Sequence, residues 1–221
     1  DYDARNRLVR TTGDVAGIGA VVEYAYDAND RLRQVLDPKG LATGYNYDGL
    51  GNLRQLVSPD TGTTEYAYDQ AGNRTAQTDA RGITATFGYD QVDRLTQVSY
   101  PNVQYGTTFV YDTVPSQCPA KEQHGIGRLS AMHDAWGSTW YCYDRFGNVA
   151  RKVQQREMQT WEVSYTHDLA SRLVEISYPA GGPSVQYERD LVGRIIAVNV
   201  GKDALVSGAE YLPYGPLERI A

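Results

Sequence analysis

The sequence predicts an all-β fold, an array of antiparallel β-hairpin repeats forming one curved, single-layer sheet. Three observations predict it. A Tyr-Asp turn unit recurs about every 21 residues. A second turn, rich in Gly and Pro, falls midway between copies. The runs between turns are short, β-favouring and without helical period.

The units justify themselves in order. Tyr2-Asp3 through Leu8 begins the series. Full copies follow at Tyr26-Asp27-Ala28-Asn29-Asp30-Arg31-Leu32 and Tyr47-Asp48-Gly49-Leu50-Gly51-Asn52-Leu53. Tyr68-Asp69 through Gly72 and Tyr89-Asp90 through Leu95 repeat the pattern, and Asp27, Asp48, Asp69 and Asp90 are evenly spaced. Tyr111-Asp112 starts a copy that Pro115 interrupts, which marks an insertion near residues 116–126. Tyr143-Asp144 through Gly147 resumes the series, and His167-Asp168 and Arg189-Asp190 are weaker copies.

Each position has a physical reason. Asp at the start of a type I turn accepts from the backbone two residues on. The third residue after it is Gly51, Gly72, Gly147 or Gly193, and elsewhere Asn6, Asp30 or Asp93. These types tolerate positive φ, as a three-residue hairpin loop with a bulge requires. Ser171 fits less well. The midway turns read Asp37-Pro38-Lys39-Gly40, Pro59-Asp60-Thr61-Gly62, Asp79-Ala80-Arg81-Gly82, Asp134-Ala135-Trp136-Gly137 and Pro179-Ala180-Gly181-Gly182.

Between turns, aromatic pairs two residues apart share a strand face: Tyr24/Tyr26, Tyr45/Tyr47, Tyr66/Tyr68, Phe87/Tyr89 and Tyr141/Tyr143. Adjacent units are expected to stack these rings in a row across the sheet. About nine units give about eighteen strands, a sheet roughly 85 Å wide at about 4.8 Å per strand. So wide an antiparallel sheet is expected to curl under its own twist. Polar strand positions imply that neither face is a fully dry core. Residues 1–221 are therefore read as one repeat array, expected to be open at both ends.

Composition narrows the function. With 21 Lys plus Arg against 27 Asp plus Glu, the net charge is −6. No nucleic-acid partner is expected of such a chain, and no apolar run reaches membrane-span length. The 18 Tyr against 3 Phe suit half-buried strand faces better than a dry core. No catalytic residue, metal ligand or cofactor is expected. The recurring Asp residues read as turn caps and not as a calcium ladder, because Arg31 stands where a calcium loop needs an acid. His124, His133 and His167 lack close ligand spacing. Repetition in every unit favours packing over sugar binding for the Tyr pairs. Cys118 and Cys142 leave two readings open: one disulfide that pins the insertion, or two unrelated thiols.

The Tyr-Asp units, the Asp-Pro-x-Gly type turns and the Tyr-x-Pro-Tyr-Gly-Pro segment at 211–216 resemble the YD-repeat, or Rhs-repeat, family over essentially the whole chain. That resemblance implies a segment of a hollow β-cocoon. It implies a structural role, with the shell enclosing a C-terminal toxin or effector of the same polypeptide. The implied setting is bacterial, secreted or cell-surface associated. The implied partners are the remaining repeats, the cargo and a secretion-system or toxin-complex component. The family's autoprotease segment and a distinct toxin domain are not seen here. Open sheet edges point to self-association. The alternative is a cell-wall or cell-surface adhesion module that recognises carbohydrate or protein.

Overall fold

The computed structural model describes residues 1–13, 17, 19–179, 181–213 and 215–220. The Ala180 position of the last midway turn and Tyr214 lie outside the described residues. The chain divides into two compact units, Asp1–Gly106 and Thr107–Ala221.

The first unit is an antiparallel meander in which every strand pairs with its sequence neighbour. Its strands are β1 (Arg10–Gly13), β2 (Ala20–Tyr26), β3 (Leu32–Leu36), β4 (Ala42–Tyr47), β5 (Leu53–Ser58), β6 (Gly62–Tyr68), β7 (Arg74–Thr78), β8 (Thr84–Tyr89) and β9 (Leu95–Ser99). The second unit repeats the design with β10 (Thr107–Tyr111), β11 (Leu129–Asp134), β12 (Gly137–Tyr143), β13 (Val149–Arg156), β14 (Gln159–His167), β15 (Leu173–Ser177), β16 (Ser184–Arg189), β17 (Ile195–Val200) and β18 (Asp203–Val206). A separate hairpin pairs β19 (Ala209–Tyr211) with β20 (Leu217–Ile220). The array is all-β and antiparallel, and each unit is one layer thick.

The register shows why the Tyr-Asp turns are so regular. Ala25 faces Gln34, but Tyr26 faces Leu32, so the ladder slips by one residue just before the turn. The same slip precedes Tyr47, Tyr68, Tyr89, Tyr143 and His167. A type I turn closed by a left-handed residue needs that bulge. The left-handed residues are the expected ones: Asn6, Asp30, Gly51, Gly72, Asp93, Gly147, Ser171 and Gly193 all have φ between 59° and 94°. Ser171 holds the conformation despite its Cβ.

Most strand residues are half-buried, as a single layer dictates. Apart from Ala85 on β8, the buried strand residues cluster. Ala131, Cys142, Tyr143 and Val153 are buried, together with Ser130 and Thr139. They lie on β11–β13 in the second unit, the strands that the insertion contacts. There the inserted loop lies against the strands, joined at Cys142.

Candidate functional site

The turn edge carries one hydrogen-bond design, repeated. In the second full copy, Asp48 Oδ1 accepts from the N–H of Leu50 at 3.0 Å and of Asn52 at 2.9 Å, while Oδ2 accepts from the Asn52 side chain at 3.2 Å. Asp69 and Asp144 do the same with Asn73 and Asn148. Where the fourth residue after Asp is Arg, its Nε donates at 2.7 Å: Arg31 to Asp27, Arg94 to Asp90, Arg172 to Asp168 and Arg194 to Asp190. The backbone N–H of Arg31 and its side chain hold the Asp27 carboxyl below the usual range, against the opposing effect of burial. At Asp144 burial pushes upward most strongly, yet the bonds from Asn148 outweigh it and the net shift is downward. These carboxylates are committed to their turns. Among the described residues, no cluster of three or more His, Cys, Asp or Glu side chains could hold a metal ion.

Tyr residues tie successive units together. The Tyr26 hydroxyl donates to the Leu8 carbonyl at 2.7 Å, Tyr68 to Leu53 at 2.9 Å and Tyr89 to Arg74 at 3.0 Å. In the second unit Tyr143 donates to Leu129 at 2.8 Å and Tyr211 to Ile195 at 2.7 Å. Leu53, Arg74, Leu129 and Ile195 are each the first residue of their strand, and Leu8 is the residue bridged to Tyr2. Burial pushes the Tyr143 phenol up, so it stays a neutral donor.

The expected row of stacked rings is not what forms. Equivalent tyrosines lie two strands apart, roughly 10 Å, beyond the reach of ring contact. The intervening strand fills the gap with Arg and aliphatic side chains. Arg7 lies over the Tyr26 ring at 4.8 Å, Arg31 over Tyr47 at 4.9 Å and Arg194 over Tyr211 at 4.6 Å. Leu32 faces Tyr26 across the bulge and Leu53 faces Tyr47. Among the described residues the ring pair in edge contact is His133 with Trp140, at 6.2 Å.

The same Arg or Asn reaches forward to the next turn. Arg7 pairs with Asp30 at 2.6 Å, Arg31 donates to the Asp48 carbonyl at 3.0 Å, and Asn73 donates to Asp93 at 2.7 Å. At Gly147 a Cβ would collide with the Arg128 guanidinium, and at Gly193 with that of Arg172. Glycine there serves both positive φ and close approach.

The insertion leaves its parent turn closed. Asp112 N–H still donates to Arg128 at 3.2 Å, and its carboxylate accepts from Gly127. Residues 113–126 loop out between them. A disulfide joins Cys118 to Cys142, with Cα atoms 5.4 Å apart. Glu122 grips Arg151 through two bonds, at 2.8 and 3.2 Å, and Arg151 also contacts Glu162. Gln123 bridges to Tyr143, and the His124 N–H donates to the Tyr143 carbonyl at 3.3 Å. Between the pinned loop and the turns at Asp144 and Asp168 lies a cleft of about 450 Å³. Lys121, His124, Arg145, Phe146, His167 and Leu169 line it.

The RHS Repeat family model matches residues 26–63, 47–84 and 68–102, three overlapping frames each one repeat apart. Residues 26–102 carry RHS repeats. Tyr143-Asp144 and Arg189-Asp190, beyond the matched stretch, build the same turn with the same bonds. The fold of the chain is shared with solved toxin-complex structures. A chain of the TcdB2-TccC3 crystal structure superposes with a TM-score of 0.75 at 18% identity, covering 99% of this chain and 13% of that one. The Photorhabdus luminescens Tc holotoxin pore gives a TM-score of 0.73 at 18% identity, covering 99% and 12%. The chain thus spans about an eighth of the chains it superposes on. No curated protein sequence matches it. Among the described residues no helix is long and apolar enough to cross a membrane.

Sequence reasoning found the turn aspartates and glycines but missed the Tyr hydroxyl bond and the forward-reaching side chain. The second had a signal. The fourth residue after Asp is Arg7, Arg31, Asn52, Asn73, Arg94, Asn148, Arg172 or Arg194 in every regular copy, always a donor of the right reach.

Proposed function

We propose that this chain is a wall segment of an RHS-repeat shell whose full polypeptide encloses a C-terminal effector. Residues 1–221 form about nine units of roughly 21 residues with one insertion. The role is structural, with no catalytic step. The observation that carries the reading is the superposition of 99% of the chain on a TcdB2-TccC3 chain.

The physical design supports it. The hairpin ladders and tyrosine bonds satisfy polar groups within a single layer, leaving little for proteases or cargo to pair with. The turn carboxylates are bonded within their turns and are not poised as acids or bases. The partners are the remaining repeats and the cargo of the same polypeptide, joined by a toxin-complex or secretion-system component. The location is secreted or cell-surface associated. Isolated from its neighbours, the 221-residue chain self-associates through open strand edges; a monodisperse monomer at high concentration would contradict that part.

The test uses the full-length native product. It is digested with a broad-specificity protease while the segment downstream of the repeats is followed by mass spectrometry. Enclosure requires that this segment survive until the repeats are unfolded. Immediate cleavage, or no such segment, refutes enclosure.

A further inference from the structure

The cleft beside the insertion exists only because the array is interrupted. Here the loop from Thr113 to Ile126 is fixed at three points: the Cys118–Cys142 disulfide, the Glu122–Arg151 pair and the Gln123–Tyr143 bridge. That places Lys121 and His124 opposite the turn tips Arg145-Phe146 and His167 to Leu169. One wall is therefore held rigidly against the other before any ligand arrives, which lowers the ordering cost of binding.

The chemistry of the lining is lopsided. Both carboxylates at the cleft, Asp144 and Asp168, are consumed by their own turns. Lys121 and Arg145 are exposed cations with no acidic partner assigned among the described residues. Between them stand two exposed apolar turn-tip side chains, Leu169 at 84% and Phe146 at 51%; tips such as Leu50 and Val92 are equally exposed, but here the inserted loop faces them. The chain is acidic overall, at −6; at the cleft Asp168 is paired with Arg172, which leaves the two cations facing one charged carboxylate, Asp144. Cations flanking an apolar floor suit a ligand that alternates negative and apolar groups. Arg145 already covers one face of the Phe146 ring, at 4.6 Å, which removes a stacking face a sugar would need and presents a guanidinium to a carboxylate instead.

We propose that the cleft between the insertion and the Asp144 and Asp168 turns binds an extended acidic peptide, with its carboxylates on Lys121 and Arg145 and its apolar side chains on Phe146 and Leu169. The cleft is a feature of this fold whether or not the repeats enclose a cargo, so the two readings fail independently.

The test titrates the whole 221-residue chain with a short labelled peptide that alternates glutamate and leucine. Its glutamine-for-glutamate counterpart and an oligogalacturonate are titrated alongside, with binding read by fluorescence anisotropy. The glutamate peptide should bind at least about ten-fold tighter than the glutamine one, and its affinity should fall as salt rises. Lys121→Glu combined with Arg145→Glu should cost at least about ten-fold again, with the melting temperature unchanged. Should that double variant unfold, Leu169→Asp provides the same test, since its exposed side chain can be changed without disturbing the ladder. Lys202→Glu, on the exposed turn before β18, should bind as the native chain does. Equal binding of both peptides, native affinity in the cleft variants, or binding of the oligogalacturonate alone would overturn the proposal.

Discussion

The guanidinium of Arg189 donates to the Leu173 carbonyl at 3.1 Å, in the place that a tyrosine hydroxyl holds elsewhere in the array. Its second terminal nitrogen donates to the Gly193 carbonyl at 3.0 Å, within its own turn. Its Nε, however, is buried without a partner. Leaving such a donor unpaired costs about 1–3 kcal/mol. Arg189→Tyr should therefore raise the stability of the second unit by about 1 kcal/mol, and Arg189→Ala should lower it. Urea unfolding of both variants decides; a destabilised Arg189→Tyr protein would show that arginine is needed there for another reason.

The converse change probes an intact bond. Tyr68→Phe keeps the ring and removes only the hydroxyl that reaches Leu53. A loss of about 1 kcal/mol is expected. Tyr68→Ala also empties the space between strands and should cost about 3 kcal/mol.

Gly72 and Gly147 form a matched pair, both at φ 88°. A Cβ at Gly72 meets open space, whereas at Gly147 it strikes the Arg128 guanidinium. Gly72→Ala should cost about 1–2 kcal/mol from backbone conformation alone. Gly147→Ala should cost roughly 1 kcal/mol more, because Arg128 must leave the Tyr143 ring and the carbonyls of His124 and Ile126. Equal losses, measured by thermal unfolding, would mean that the forward-reaching side chain contributes nothing.

The disulfide closes a loop across a sequence separation of 24. Constraining the unfolded chain over such a loop is worth about 3 kcal/mol. Replacing Cys118 and Cys142 together with Ser should destabilise the second unit by that order. It should also expose residues 113–126 to hydrogen exchange before the strands beneath. If loop and strands exchange together, the disulfide is not what seats the loop.

The turn carboxylates fix the acid response. Asp27, Asp48, Asp69, Asp90 and Asp168 are all held below the usual range, first by the backbone N–H of the residue four on. A carboxylate depressed in the native state adds stability above its unfolded value, near 3.9. That stability is lost as pH falls through the native value. The melting temperature should therefore hold through mild acid and drop below about pH 4. Asp69→Asn should destabilise at neutral pH and shrink the acid-induced drop. An acid response unchanged by that substitution would place the titrating groups elsewhere.

The fold was legible because each turn residue declares its own backbone. Gly51, Gly72 and Gly147 mark positive φ, and the aspartates before them mark the turn start. What joins one unit to the next was less so. A tyrosine hydroxyl bonding a backbone carbonyl leaves no mark on the acceptor, since every residue type carries that carbonyl: Leu8, Leu53, Leu129 and Ile195 serve, and so does Arg74. Periodicity placed the rings on one face but not the side chains of the strand between them. The cleft was illegible for a further reason: Lys121, Arg145 and Leu169 meet only because residues 113–126 fold back over strands far along the chain.

Each tyrosine hydroxyl bonds a carbonyl that lies earlier in the sequence. A ribosome making this chain delivers the acceptor first and the donor afterwards. At these five bonds the new hairpin therefore emerges beside an acceptor already made. The inserted loop is the opposite case, since Cys118 and Glu122 must wait for Cys142 and Arg151.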